Sequence, residues 1–195
     1  MKSIANFLFE MGMLKKTPRT GFQFLGSGKE SVAEHVLQVI FIGYTLCKIE
    51  KRADELKVMK MCLIHDLPEA RTGDMNYVNK KSVDEKKAVR ELTDTLFFGE
   101  DIRNAMEEFN GKKTLESHLA HDADQLALLL QLKENGDLGN KYSQEWIRFV
   151  LKRLCTETAK KVARSILETD SAEWWFTDES DWWVTANNNR GHHDG

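Results

Sequence analysis

The 195-residue chain is short of proline, of cysteine and of net charge, and each shortage excludes something. Two prolines, Pro18 and Pro68, are all that interrupt it, so segments of 3.6-residue hydrophobic period run unbroken, and strand-like alternation is missing. The cysteines, Cys47, Cys62 and Cys155, are odd in number and lack C-x-x-C spacing. Set in apolar helical patterns, they read as buried thiols in a reducing compartment. Lys and Arg number 28 against 31 Asp and Glu, a net charge of −3, which leaves no global positive field to collect nucleic acid or anionic lipid. No apolar run of membrane-spanning length is read, and residues 1–10 lack the hydrophobic core and cleavage site of an export signal. A soluble, cytoplasmic protein is expected, with neither a nucleic-acid polymer nor a membrane as partner.

What is present is helix, enough for an all-α bundle. A first helix is expected over residues 3–14, with Ile4, Leu8, Met11 and Phe7 inward, then a loop over 15–30. A capping box, Ser31-Val32-Ala33-Glu34, opens a second helix with the inward stripe Val32, His35/Val36, Val39, Ile42/Gly43 and Leu46. A third helix covers 54–65, with Val58, Met61/Cys62 and His65 on one face, and Pro68 stops it. Ser82-Val83-Asp84-Glu85 reads as another capping box opening a helix to 97, followed by a helix over 100–109. Residues 114–133 are apolar nearly all round, as in a helix buried on most sides. One long helix is expected over 143–168. Residues 1–170 would form the domain, and 171–195 an appended acidic, Trp-rich segment whose end frays beyond Thr185. Residues 168–183 hold six acids and no Lys or Arg, with Trp174, Trp175, Phe176, Trp182 and Trp183 calling for cover from the protein's own surface, a second subunit or a pocket beneath.

Of six histidines, two lie in the tail, leaving His35, His65, His118 and His121. His65 and Asp66 end a helix on an apolar face, where adjacent side chains can converge on one point, an imidazole nitrogen and a carboxylate oxygen suited to a metal ion or to each other. His35 lies on the core stripe of its own helix. Asp124 sits in the most apolar helix, with no Lys or Arg within a turn, where an unpaired carboxylate would cost several kcal/mol. Asp122 competes with it, and the Asp-x-Leu context favours Asp124. A divalent cation is the economical partner for two histidines and two aspartates, and the mixed N/O set suits Mn, Fe, Co, Ni or Mg better than structural zinc. His118 and His121, three apart on the same helix, read as surface positions rather than a second metal site.

The order His35, His65-Asp66, Asp124 resembles that of the HD-domain metal-dependent phosphohydrolases, and more narrowly of their 5′-deoxynucleotidase branch. The similarity spans about residues 14–133. It implies an all-α bundle around one divalent metal held by His35, His65, Asp66 and Asp124. The stretch from His65 to Asp74 is similar to the branch signature H-D-x-x-E-x-x-x-G-D, which implies that Glu69 and Asp74 work beside the metal as catalytic groups. The stretch from Leu14 to Phe22 resembles the segment whose arginine contacts substrate, so Arg19 takes that role. Lys80 is a second candidate phosphate contact. Certain bacterial members carry a tryptophan directly after the arginine to select deoxyribose, where Thr20 stands here. The resemblance implies hydrolysis of a nucleoside 5′-monophosphate to nucleoside and phosphate, a small-molecule partner, and a homodimer. A deoxynucleoside triphosphate triphosphohydrolase and a non-catalytic, metal-stabilised interaction protein are the alternatives. Ala70 stands where guanosine tetraphosphate hydrolases carry an acid.

Overall fold

The computed structural model describes residues 1–76, 78–79 and 83–176, and among these no strand occurs. The helices are α1 (Lys2–Met11), α2 (Phe22–Leu25), α3 (Val32–Glu50), α4 (Glu55–Ile64), α5 (Glu69–Thr72), α6 (Glu85–Thr93), α7 (Gly99–Gly111), α8 (Leu115–Asp137), α9 (Ser143–Arg153), α10 (Glu157–Glu168) and α11 (Glu173–Phe176). The bundle is organised around α8, which packs against α3, α4, α7, α9 and α10. That arrangement follows from its sequence: Leu119, Ala120, Ala123, Leu126, Ala127, Leu129 and Leu132 are buried on successive turns, so most of its circumference is taken up by neighbouring helices.

The local start signals act as written. Ser31 Oγ accepts from the Glu34 amide while the Glu34 carboxylate takes the Ser31 N–H, closing the predicted capping box of α3. Asp54 caps α4 through the Lys57 amide. Gly43 sits where α3 meets α4, and a Cβ there would lie 2.7 Å from Cys62 Sγ. Glycine therefore permits the close approach that brings the histidines of these two helices together. Burial pushes the Cys62 thiol up to about 12 and Cys47 up to about 11, as expected of inert core thiols.

Several expectations are corrected. Leu8 is 64% exposed, because Ile4, Phe7 and Met11 alone turn toward the cluster of Ile64, Val89, Leu92 and Met106. The residues 12–15 tighten into a 3-10 turn instead of extending α1, and the following loop contains the short α2. Asp84, not Ser82, caps α6 through the Lys87 amide; Ser82 lies outside the described residues, and α6 ends at Thr93. Cys155 is exposed. By length and composition α3 does qualify to cross a membrane, yet its stripe from Val32 to Cys47 is buried within the bundle, packed against α4 and α8.

The long terminal helix is in fact two. Between α9 and α10 the chain extends at Leu154 and at Thr156, the α10 N-cap. Asp122, with 0% exposure, accepts hydrogen bonds there from the Cys155 amide at 2.7 Å, the Thr156 amide at 2.8 Å and the Thr156 hydroxyl at 2.7 Å. A buried carboxylate is tolerable only when satisfied in this way. Asp122→Ala is expected to cost about 3 kcal/mol or more in denaturant unfolding, since it strands three donors at once, while Asp124→Ala should leave stability closer to wild type.

Candidate metal centre

The two histidines come from different helices and reach one point. His35, 1% exposed, projects from the first turns of α3. His65 caps α4, its amide still bonded to the Met61 carbonyl at 3.0 Å. The chain then tightens: Leu67 N–H donates to the Ile64 carbonyl at 2.9 Å and Glu69 N–H to the Asp66 carbonyl at 3.0 Å. Pro68, lacking an N–H, opens α5 rather than directly ending α4. This compaction swings Asp66 back, placing its Oδ2 3.2 Å from His65 Nε2 and 3.6 Å from His35 Nε2. One ligand atom from each of His35, His65 and Asp66 lies within 4.8 Å of the others. Asp124 Oδ1 approaches from α8, 3.1 Å from His35 Nε2 and 3.9 Å from His65 Nε2.

His65 shows how the centre is aimed. Its Nδ1–H donates to the Cys62 carbonyl at 2.9 Å, which turns Nε2 toward the carboxylates. Nε2 is buried and faces Asp66 Oδ2, so the ring presents to the centre the nitrogen whose lone pair, freed by loss of its proton, would serve a cation. Burial opposes charge on this ring, but Asp66 and Asp124 overcome it and lift His65 to about 9. Reciprocally, Asp124 stays well below the usual carboxylate range against the effect of burial, held there by the hydrogen bond from His35 and the charge on His65. Asp66 is lowered too, with His65 and Arg19 outweighing burial. The pocket thus attracts positive charge.

Arg19 supplies one such charge. Its Nη1 is 3.3 Å from Asp66 Oδ2 and 3.9 Å from Asp74 Oδ1. Burial disfavours the guanidinium, and the surrounding acids, Asp66, Asp124, Asp74 and Glu69, more than compensate. The loop holds Arg19 in place because its amide bonds the Glu30 carbonyl at 2.8 Å and the Val32 amide bonds the Thr17 carbonyl at 2.9 Å. Beneath lie Leu14, Val32 and Val36, with Ala70 of α5 packed against them, so one small apolar cluster seats both the arginine loop and the helix that starts with Glu69. Lys80 lies outside the described residues.

Two further side chains complete the setting, Gln125, which the sequence does not single out, and Thr20, which it marks only as a departure from the family pattern. Gln125 donates to Asp124 Oδ2 at 2.9 Å and accepts from Arg153 at 3.3 Å; its position directly after the aspartate is the only hint. Thr20 binds Asp74 through its amide and hydroxyl. His118 and His121 do not form a second centre: their Nε2 atoms bond the carbonyls of Lys112 and Phe109, both at 2.9 Å, tying the turn between α7 and α8. His121 also stacks on Phe109 with ring centroids 3.9 Å apart, so it is more than a surface residue.

An all-helical bundle whose centre converges two imidazoles and acidic groups from separate helices, with an arginine alongside, has the donor set of a helical metal-binding domain. The chain belongs to the HD domain family, whose model matches residues 11–166. A Dictyostelium discoideum protein named 5′-deoxynucleotidase HDDC2 is 33% identical over 148 residues, covering 69% of this chain and 78% of that one. The Homo sapiens protein of the same name is 27% identical over 150 residues, covering 72% of each. Among solved structures, a Pyrococcus horikoshii protein aligns with a TM-score of 0.70 at 28% identity, over 84% of this chain and 98% of that one. A Magnetospirillum magnetotacticum structure described as a predicted metal-dependent phosphohydrolase shares the fold, with a TM-score of 0.70 at 21% identity over 86% and 90% of the two chains.

Proposed function

We propose that the protein is a metal-dependent phosphomonoesterase that hydrolyses nucleoside 5′-monophosphates, 2′-deoxynucleotides in particular, to nucleoside and inorganic phosphate. The observation that carries this reading is the convergence of His35, His65 and Asp66 within 4.8 Å, with Arg19 3.3 Å from the same carboxylate. The relatives named 5′-deoxynucleotidase, matched over about three quarters of their length, support the choice of substrate class.

The residues fit a divalent ion of the Mn, Co, Fe or Ni type, or Mg: one buried imidazole nitrogen faces the Asp66 carboxylate, and the set mixes nitrogen and oxygen donors. His35, His65, Asp66 and Asp124 would hold it. Such an ion, when bound, polarises phosphate and lowers the pKa of water. Arg19 binds the phosphate oxygens and offsets their charge, with Lys80 as the second cation assigned to this task. Glu69 or Asp74 accepts a proton from the attacking water; the water oxygen bonds to phosphorus, the bond to the 5′ oxygen breaks, and a proton ends on that oxygen. The catalytic unit is residues 1–170, and a second copy of the chain, in the cytoplasm, is the partner assigned to it.

The test is a panel of ribo- and deoxynucleoside mono-, di- and triphosphates with Mn, Co, Mg or no metal added. Inorganic phosphate from the monophosphates, dependent on metal, is the expected result. Tripolyphosphate from triphosphates would replace this reading with that of a triphosphohydrolase.

A further inference from the structure

Asp74 belongs to neither helix that flanks it. α5 stops at Thr72, and Gly73 has φ +71° and ψ 163°, a backbone state that essentially only glycine adopts. The chain therefore leaves the helix in a sharp change of direction, and residues 73–76 carry no secondary structure. Nothing in the local backbone fixes where the Asp74 carboxylate points. Its side chain is nonetheless only 13% exposed, so partners must replace the water it gives up.

Those partners are adjacent residues of a distant loop. The Thr20 amide donates to Asp74 Oδ2. The Thr20 hydroxyl lies 3.1 Å from the Asp74 carbonyl and 3.3 Å from Oδ2. Arg19 Nη1 is 3.9 Å from the other oxygen, Oδ1. The dipeptide Arg19-Thr20 thus engages both carboxylate oxygens across 54 residues of chain, and it is itself held to the segment leading into α3 by the bond from the Arg19 amide to the Glu30 carbonyl. We infer that Thr20 is a positioning residue, whose hydroxyl clamps the turn after Gly73 and so orients Asp74 relative to Arg19 and the metal centre. This rests on the proposed phosphomonoesterase reading for its kinetic consequence but not for the clamp itself.

The experiment compares Thr20→Val, which keeps shape and amide but loses the hydroxyl, with Thr20→Ser, which keeps the hydroxyl. Each is made in the wild-type and Asp74→Ala backgrounds, with Mn content and thermal midpoints measured alongside kcat and KM for a deoxynucleoside 5′-monophosphate. Thr20→Val should lower kcat about tenfold with KM changed less than about twofold and Mn content unchanged. Thr20→Ser should stay near wild type, and Thr20→Val should add nothing once Asp74 is alanine. The thermal midpoint should fall for Thr20→Val and not for Thr20→Ser in both backgrounds, because the hydroxyl also bonds the Asp74 backbone carbonyl, which alanine retains. Additive effects of Thr20→Val and Asp74→Ala on kcat, or a Thr20→Ser variant as impaired as Thr20→Val, would overturn the assignment. If the wild-type protein releases no phosphate, the phosphomonoesterase reading fails, and the thermal midpoint of Thr20→Val against that of Thr20→Ser decides the clamp: equal midpoints would overturn it.

Discussion

Replacing His65 with alanine is expected to abolish phosphate release, by at least about a thousandfold, and to remove bound divalent metal from the purified protein. The expectation comes from how the ring is held. Its Nδ1–H is committed to the Cys62 carbonyl, so Nε2 can face only Asp66 and Asp124, at 3.2 and 3.9 Å. Truncation leaves those two carboxylates facing each other across a buried space with one imidazole fewer to satisfy them, and a cation would lose a fixed nitrogen donor. Asp66→Ala should behave alike in activity and metal content. Elemental analysis of the purified variants beside steady-state kinetics checks both, and a His65→Ala protein that keeps metal and turnover would remove this residue from the centre.

Glu69→Ala should separate chemistry from metal binding. Glu69 opens α5 one turn beyond Asp66, its amide on the Asp66 carbonyl, and its charge acts on Arg19. It is therefore beside the centre without belonging to the cluster of His35, His65 and Asp66. Loss of a group that moves a proton costs typically 10²- to 10⁴-fold, so turnover should fall by about that range while metal content stays at the wild-type level. Loss of metal along with turnover would reassign Glu69 as a ligand.

How much of this was legible in the sequence depends on the distance over which each feature is specified. The capping box at Ser31 and the inward position of His35 are matters of a few consecutive residues, and they hold. His65-Asp66 could be read as a convergent pair because the cause, a helix ending just before proline, is also local. Even so, the helix closes at Ile64 and Pro68 begins the next one, since the compact turns between them need no proline to form. Asp122 and Asp124 could not be separated by period alone: both lie on a helix whose sequence is apolar nearly all round, and only contact with the α9–α10 break tells which one faces away. That break carried a signal in Thr156 followed by Glu157, a cap and a first-turn acid, but with neither glycine nor proline the apolar period appeared continuous. Thr20 and Asp74 meet through two loops 54 residues apart, and no periodicity reports such a pairing.

Asp122 and Asp124 stand two residues apart on α8, so their side chains diverge by about 200° around its axis. One is fastened by three hydrogen bonds to the chain behind the helix, and the other meets His35 in front. The rotation of α8 about its own axis is thereby locked by bonds that involve no ion. The direction of Asp124 toward His35 is accordingly set from the far side of the helix, by a carboxylate that takes no part in the centre.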